Sequence, residues 1–287
     1  MLTEILLLVF AGAAGGFVGG LVGVGGGLIF APVLFFYFQG IGIPPDVIAP
    51  LTIGSSLFCT LVVALSAAHS QFQKSAVDSR IAFSVGSASA IAVVLMTFFV
   101  TTTSWYSASV FELVFASLLI IVALQMFRRA AAKSGKARSK PPSNGNESTD
   151  DSIPMGPLGI VATGAAAGVV STAAGVGGGI VLVPVYHRLF KMSMIRSVGT
   201  SSATIVLVSA AGVISYAYTG WELDLAPLSA GYIDVGRALL LSVPAAFTAR
   251  LGVQTAHRFN QALLRRSFAI VAVLVAIRLL MSVFGFE

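Results

Sequence analysis

The sequence predicts an all-α integral membrane protein made of two inverted-topology repeats, each with a glycine-broken or re-entrant helix pair and three transmembrane helices. The composition is 56% hydrophobic and 10% charged, whereas soluble domains carry about 25% charged residues. The pentapeptide GVGGG occurs twice, at residues 23–27 and 175–179. The basic residues are distributed as expected if each half of the chain crosses a membrane an odd number of times.

One polar segment divides the chain into two similar halves. Residues 128–155 are too poor in apolar side chains to fold, which predicts a flexible linker. The domains are therefore 1–127, the first transmembrane repeat, 128–155, the linker, and 156–287, the second transmembrane repeat. Each repeat has an apolar segment that ends in GVGGG, a short segment with a proline and three long apolar segments. These segments are 5–22, 28–38, 47–68, 81–100 and 110–127 in the first half and 157–174, 180–190, 197–218, 238–253 and 267–284 in the second.

The basic residues also predict how the chain is oriented. With the N-terminus outside the cell, all of the 17 Lys and Arg residues except Arg237 and Arg278 fall on the cytoplasmic side, which satisfies the positive-inside rule. This predicts a multi-pass protein of the cell inner membrane with a cytoplasmic linker and both termini outside. An odd number of crossings inverts one half relative to the other, as in many transporters.

The short segments 28–38 and 180–190 favour half-helices that dip toward the middle of the membrane. Each has 11 residues, or about 16 Å of helix, which is about half of the roughly 30 Å hydrocarbon core. Charge alone leaves two full crossings open as the alternative, because both arrangements give an odd total.

The repeated glycines predict an anion site. Consecutive glycines break a helix, and unpaired backbone in a membrane is tolerated only where it is buried in protein or lines a cavity. A helix that restarts there directs free N–H groups and the positive end of its dipole at a ligand, which glycine allows to come close. The predicted substrate-binding residues of the breaks are Gly25, Gly26, Gly27, Gly177, Gly178 and Gly179.

Close helix packing is the alternative role for glycine, and we expect it at Gly12, Gly16 and Gly20, which are four residues apart. For the two motifs we favour the ligand site. On that hypothesis, alanine at Gly26 or Gly178 lowers substrate affinity in a protein that still folds.

Matched hydroxyl residues are further candidates for substrate binding. The letters GSS at 54–56 match TSS at 200–202, and a hydroxyl donates to an oxoanion without the burial of a charge. Hydrogen bonding to helix backbone is an equally weighted alternative. The predicted contributors are Ser55, Ser56, Thr200, Ser201 and Ser202.

Three arginines are candidates for the substrate pathway. Arg80 and Arg237 occupy matched places in VDSR and IDVGR and would attract an anion to opposite mouths of the protein. Pairing with Asp78 and Asp234, or an interfacial position, is the favoured alternative. Arg278 lies deeper in an apolar segment, where a charge is a functional candidate by default.

The same features argue against other classes of protein. The net charge is +6. In a membrane protein an excess of Lys and Arg is typical of cytoplasmic loops, so we expect no nucleic-acid partner. The predicted spans contain no paired carboxylates and no zinc motif, and His69, His187 and His257 lack metal-ligand spacing. We therefore expect no enzyme activity, no metal and no cofactor. A membrane assembly factor would have little use for duplicated helix breaks.

The duplicated glycine motif with its downstream Pro32 or Pro184, the Gly/Thr-Ser-Ser element and the Asp-x-Arg and Asp-x-x-Arg elements resemble the TauE/SafE family of sulfite exporters. The resemblance covers nearly the whole chain apart from the linker. It implies an inverted-repeat permease for sulfite or organosulfonates such as sulfoacetate, with the substrate at the glycines and hydroxyl residues named above.

These observations together predict a permease that exports a small sulfur-containing anion by alternating access around a site at the middle of the membrane. A channel, or a carrier for another small anion such as a carboxylate, is the alternative, and a membrane-embedded enzyme is a more remote one. The expected partners are the small anionic substrate and the lipid bilayer, and the sequence leaves open whether the chain forms a homodimer.

The charge distribution predicts the location of the linker. A reporter that is active only in the cytoplasm should be active when inserted within residues 128–155 and inactive when fused after Glu287. A reporter that is active only outside should give the opposite pair of results. A linker found outside the cell would contradict the inverted topology.

Overall fold

The chain is almost entirely helical. The computed structural model describes residues 2–103, 106–134, 156–223, 228–255 and 261–283, and these ranges form ten α-helices and no β-strand. Each of the ten predicted apolar segments corresponds to one helix. The helices are α1 Leu2–Val22, α2 Gly27–Gly40, α3 Pro45–Gln73, α4 Ser79–Thr102, α5 Ala108–Ser134, α6 Pro157–Ala174, α7 Gly179–Arg188, α8 Met194–Thr219, α9 Val235–Thr255 and α10 Gln261–Val283.

Six of these helices are long and apolar enough to cross a bilayer, namely α1, α3, α4, α5, α6 and α8. Large apolar side chains such as Phe10, Phe83 and Leu95 are exposed on the outside of the bundle. An exposed apolar surface of this kind suits contact with lipid rather than water. The predicted all-α integral membrane fold is therefore confirmed.

The two helices that follow the glycine motifs are short, as the sequence predicts. Helix α2 has 14 residues and α7 has 10, which corresponds to about 21 Å and 15 Å. Neither reaches the roughly 30 Å of a hydrocarbon core. Helices α3 and α8, with 29 and 26 residues, are long enough to span it and lie at the centre of the bundle.

The two halves contribute matching helices to matching contacts. Helix α1 packs on α9 as α6 packs on α4, and α3 packs on α9 as α8 packs on α4. Helix α3 also packs on its own counterpart α8, and α5 on its counterpart α10. The helices of each half are thus covered by those of the other, so neither half has a complete core of its own.

The counterpart helices α3 and α8 run antiparallel. A β-carbon added to Gly54, near the start of α3, would lie 3.1 Å from the β-carbon of Tyr216, near the end of α8. One added to Gly212 would lie 2.6 Å from a methyl carbon of Leu57. The contacts therefore run in opposite directions along the two helices.

The glycines of α1 pack against helix backbone, as predicted. β-Carbons at Gly12, Gly16 and Gly20 would overlap the carbonyl oxygens of Leu241, Ala245 and Ala249 on α9, respectively. The contacts advance together along both helices, so α1 and α9 are parallel. Small residues allow this close approach of two helices in a membrane.

Helix α5 is longer than the sequence suggests. It continues to Ser134 and so includes the first seven residues of the predicted linker, 128–134. Residues such as Arg128, Arg129 and Ala130–Ala132 are compatible with helix despite their polar neighbours. The rest of the predicted linker, residues 135–155, lies outside the described residues.

The packing of α1 on α9 predicts a stability effect at Gly16. Replacing Gly16 by alanine should lower the free energy of unfolding by about 1–3 kcal/mol, because the added methyl group overlaps the Ala245 carbonyl. Gly40→Ala is the matched control, since a β-carbon there meets no atom within 4 Å. Thermal unfolding of both variants in the same detergent tests this, and equal melting temperatures would contradict it.

Candidate functional site

The two glycine motifs meet at the centre of the protein. A β-carbon added to Gly27 would lie 2.6 Å from the α-carbon of Val176, and one added to Gly179 would lie 2.6 Å from the α-carbon of Val24. The two contacts are equivalent, because Gly179 and Val176 of the second motif correspond to Gly27 and Val24 of the first, 152 positions earlier. The helix breaks of the two halves therefore face each other.

The backbone of both breaks requires glycine. Three glycines in each motif have a positive φ, a conformation that other residues rarely adopt. Gly27 and Gly179 instead require glycine because the opposite motif comes so close. The positive φ angles are 75°, 82° and 81° at Gly23, Gly25 and Gly26 and 67°, 72° and 75° at Gly175, Gly177 and Gly178.

This backbone leaves N–H groups free at the start of α2 and α7. The first backbone hydrogen bonds of these helices are donated by Ile29 and Val181 to the carbonyls of Gly26 and Gly178, at 2.9 and 3.0 Å. Among the described residues, the N–H groups of 25–28 and 177–180 have no backbone acceptor. The positive ends of two helix dipoles lie at the same place. Buried free N–H groups at helix N-termini are suited to binding an anion.

Two hydroxyl groups that the sequence reasoning missed lie at the breaks. Thr60 on α3 and Ser209 on α8 are fully buried, and neither side-chain oxygen has a hydrogen-bond partner in the described structure. A β-carbon on Gly27 would lie 3.0 Å from Thr60 Oγ1, and one on Gly177 would lie 3.4 Å from Ser209 Oγ. A buried hydroxyl without a partner is costly, so these two groups are available to a ligand.

The predicted hydroxyl residues are bonded to backbone instead. Ser56 Oγ donates to the carbonyl of Gly175 at 2.8 Å, and Ser201 Oγ donates to the carbonyl of Gly23 at 3.0 Å. Each half thereby anchors the glycine break of the other half. Ser202 Oγ donates to Val198 within its own helix, at 3.0 Å.

Ser55 and Thr200 fix the starts of two other helices. Ser55 Oγ accepts a hydrogen bond from the N–H of Asp234 at 2.9 Å, and Thr200 Oγ1 accepts one from the N–H of Asp78 at 3.0 Å. Ser55 is thus the counterpart of Thr200, and Ser56 of Ser201. The letter match of GSS with TSS instead pairs Ser55 with Ser201 and Ser56 with Ser202. The structural match is therefore shifted by one residue toward the N-terminus in the second half. A direct role of these five hydroxyl residues in substrate binding stays a prediction.

A cavity leads from the breaks toward one end of the protein. We call this the basic end; there α3 finishes and α4 and α8 begin, and it carries Lys74, Arg80 and Arg196. The cavity has a volume of about 70 Å³ and extends between Gly26 and Gly179, at the breaks, and Met194, at the start of α8. Its described lining includes no charged side chain; apart from exposed backbone and Gln125, the walls are apolar. Representative residues are Val22, Leu28, Val122, Ile180 and Pro184.

The corresponding region at the opposite end is filled by side chains. Pro184 of α7 lines the cavity and is half-buried, whereas its counterpart Pro32 of α2 is buried in the core. Phenylalanines of α2 and α5 fill that region, with ring centroids 5.1 Å apart for Phe35 and Phe111. The two ends of the protein therefore differ in access, although the sequence motifs at the breaks are the same.

The arginines do not line the cavity. Arg237 is paired with the buried carboxylate of Asp234, and its guanidinium stacks 5.3 Å from the centre of the Tyr37 ring. The Asp234 partner agrees with the favoured alternative. Arg278 is exposed on α10, with its guanidinium 5.8 Å from the centre of the Phe36 ring.

The matching aspartate of the first half has a partner in the second half. Asp78 Oδ2 lies 3.6 Å from Arg196 Nη2, and both belong to the basic end. The structure places Arg80 there as an exposed residue. Asp78 therefore forms an ion pair across the two halves, with an arginine that the sequence match did not indicate.

No metal centre is recognisable in the part of the chain that the structure describes, which contains no group of three His, Cys, Asp or Glu side chains close enough to bind an ion. His69 contacts Gln73 at 3.1 Å, and His187 contacts the carbonyl of Met192 at 2.9 Å. His257 lies outside the described residues.

Replacing glycine by alanine in the motifs does not test ligand binding separately from folding. A β-carbon on Gly26 would lie 2.7 Å from the carbonyl oxygen of Gly15, and one on Gly178 would lie 2.8 Å from that of Ala167. Both residues also have a positive φ. Alanine at either position therefore strains the fold itself, contrary to the expectation that such variants fold normally.

Comparison with known proteins identifies the family of the chain. The TauE/SafE sulfite exporter family matches residues 8–279. A probable membrane transporter protein of Haemophilus influenzae is 24% identical over 283 residues, which cover 98% of this chain and 100% of the relative. A probable membrane transporter protein of Methanocaldococcus jannaschii is 26% identical, covering 90% of this chain and 89% of the relative.

A third relative, the probable membrane transporter protein YunE of Bacillus subtilis, is 26% identical over 96% of this chain and 97% of its own length. No solved structure gives a significant match. The family match covers nearly all of both halves, including the two breaks. The chain belongs to the TauE/SafE family of membrane transporters.

Proposed function

We propose that this protein is a carrier that exports a small sulfur-containing anion, such as sulfite or an organosulfonate, across the cytoplasmic membrane. The observation that supports it best is the pair of facing helix breaks, with free N–H groups at the starts of α2 and α7. The hydroxyls of Thr60 and Ser209 complete a set of neutral donors around one central position. The family to which the chain belongs is described as sulfite exporters.

The carrier works by alternating access between inverted repeats. The antiparallel packing of α3 on α8 and the matched helix contacts of the two halves support this relation. In an inverted pair, closing the cavity at one end and opening its counterpart at the other requires only that the halves exchange conformations. The cavity at the basic end and the buried Ala31 and Pro32 at the other end correspond to one of the two states.

The basic end faces the cytoplasm in this proposal, so the open cavity receives substrate from inside the cell. Lys74, Arg80 and Arg196 lie at this end, in agreement with the positive-inside rule. A monovalent anion that leaves a cell at about −100 mV gains roughly 2.3 kcal/mol from the membrane potential. Export therefore needs no coupling ion.

The neutral donors of the breaks would also bind a carboxylate, because carboxylates and sulfur oxoanions both present oxygen acceptors. A carrier or channel for another small anion is therefore the second candidate. Uptake of labelled sulfite, methanesulfonate, sulfate and acetate into proteoliposomes, with and without a membrane potential, separates these functions. Accumulation of acetate but not of the sulfur anions would contradict the first proposal.

The two unpartnered hydroxyls give the sharper test of the site. Thr60→Val and Ser209→Ala should each weaken substrate binding by about tenfold or more, because each removes a hydrogen bond to a charged ligand. Both changes preserve helix and burial, so the melting temperature without substrate should stay near that of the parent.

Two matched controls use hydroxyls bonded within α4. Thr101 Oγ1 donates to Thr97 and Ser89 Oγ donates to Val85, each at 2.9 Å. Thr101→Val and Ser89→Ala should leave affinity unchanged. If all four variants bind substrate like the parent, the site does not lie at the breaks.

The ion pair between Arg237 and Asp234 predicts that replacing the arginine by lysine has only a small effect on transport. Arg237→Lys should transport nearly normally, because an ammonium group still balances the buried carboxylate of Asp234. If Arg237 bound the oxoanion through two N–H groups, lysine could not replace it. Transport rates at several substrate concentrations decide this, and a large rise in KM would place Arg237 in the pathway.

A further inference from the structure

We propose that the site between the two breaks selects monovalent over divalent anions, so that a sulfite-type substrate is carried as hydrogen sulfite. This inference rests on the proposed function, because it concerns the same site and names the charge of its substrate. It follows from the kind of donors present and from the absence of charged side chains among the described residues that line the adjoining cavity.

The donors at the breaks are all neutral. They are the backbone N–H groups of 25–28 and 177–180 and the hydroxyls of Thr60 and Ser209. Within α3, the charged residue nearest to Thr60 is Asp46, 14 positions away, or about 21 Å of helix. On other helices, Asp78 and Asp234 bind Thr200 and Ser55, beside the serines that hold the breaks, and each is paired with an arginine, Arg196 or Arg237. None of the described residues that line the adjoining cavity is charged.

The positive potential at the site therefore comes from two helix ends. Each helix N-terminus is equivalent to roughly half an elementary charge, so α2 and α7 together supply about one. The C-termini of α1 and α6 end at the same breaks, and their opposing negative potential is reduced because Ser201 and Ser56 donate hydrogen bonds to the carbonyls of Gly23 and Gly175. A bound monoanion is nearly balanced by this potential. A dianion would leave about one negative charge uncompensated among apolar residues such as Leu28 and Ile180, which is strongly unfavourable.

The hydroxyls add a second reason for selectivity. An amide N–H only donates, whereas a hydroxyl both donates and accepts. Thr60 or Ser209 can therefore accept a hydrogen bond from a protonated oxoanion such as hydrogen sulfite while the N–H groups donate to its other oxygens. A fully deprotonated dianion offers no proton to these acceptors.

The titratable side chains near the breaks are thiol and phenol groups that are buried and hydrogen-bonded. Cys59, beside Thr60, donates to the carbonyl of Ala238 at 3.4 Å, and Tyr186 of α7 is 2.8 Å from Thr204 Oγ1. Just before the second break, the hydroxyls of Tyr106 and Tyr216 donate to the carbonyls of Ala173 and Thr172. None of these groups carries a charge in its ordinary protonated form. A dependence of sulfite binding on pH near neutrality would then reflect the substrate rather than these groups.

The test measures binding of matched anions to the purified full-length protein by titration calorimetry. Methanesulfonate and sulfate have similar tetrahedral shapes and differ in charge. Methanesulfonate should bind at least about tenfold more tightly, because only the monoanion is balanced by two helix termini. The apparent affinity for total sulfite should fall as the pH rises through the second pKa of sulfurous acid, approaching tenfold per pH unit above it. Methanesulfonate affinity should stay constant over the same range, because its charge does not change.

The outcomes separate this inference from the proposed function. Equal or tighter binding of sulfate, or a sulfite affinity that is flat or rises with pH, would overturn the charge selectivity and leave the carrier in place. No binding of any sulfur anion would contradict the proposed function itself. Thr60→Val locates the selectivity: it should weaken methanesulfonate binding, and unchanged affinity would place the selective site elsewhere.

Discussion

The backbone N–H groups left free at two helix breaks are the constraint on which the rest of this structure depends. Lipid offers no hydrogen-bond partner, so such groups are tolerated only inside protein or beside a cavity. The breaks at Gly25–Gly27 and Gly177–Gly179 therefore lie between the central helices α3 and α8, where the opposite motif covers them. Ser56 and Ser201 hold them there by bonding to the carbonyls of Gly175 and Gly23. The N–H groups themselves stay available, which suits a site for an anion.

The duplication explains how a membrane protein can keep such a site stable. Each half provides a break and also the hydroxyl that fixes the break of the other half, so the site forms only when both halves fold together. The close packing of α1 on α9 holds the first helix of one half against the other half. An apolar cavity then reaches the breaks from one end, while stacked phenylalanines fill the other. A carrier needs this combination of a fixed central site and one open path.

Much of this arrangement could be predicted from the sequence, because it depends on patterns that repeat. Ten apolar segments gave ten helices, and the duplicated glycines marked two breaks. The register of α3 against α8 could not be predicted from letters alone. GSS matches TSS best by residue type, but the hydroxyls of Ser55 and Thr200 are equivalent because each binds the first N–H of a neighbouring helix. Only the fold brings Asp78 and Asp234 to those positions.

Thr60 and Ser209 were missed for a related reason. Each stands between apolar neighbours, and their structural counterparts, Ile205 and Ala64, are apolar, so a search for repeated motifs passes over them. The available signal was spacing: Thr60 follows Ser56 by four residues and Ser209 follows Ser201 by eight, which places each pair on one face of a helix. The extension of α5 to Ser134 was missed because the charged residues after Phe127 have good helix propensity as well as a linker-like composition.

The most direct test of the central claim observes the amide groups themselves. Protein labelled with nitrogen-15 at glycine and reconstituted in lipid or detergent would be titrated with methanesulfonate and followed by NMR. We expect the amide resonances of glycines in both motifs to shift together and to yield one dissociation constant, while those of Gly12 and Gly16 stay unchanged. Saturable binding of the anion that leaves the resonances of both motifs in place would contradict the account.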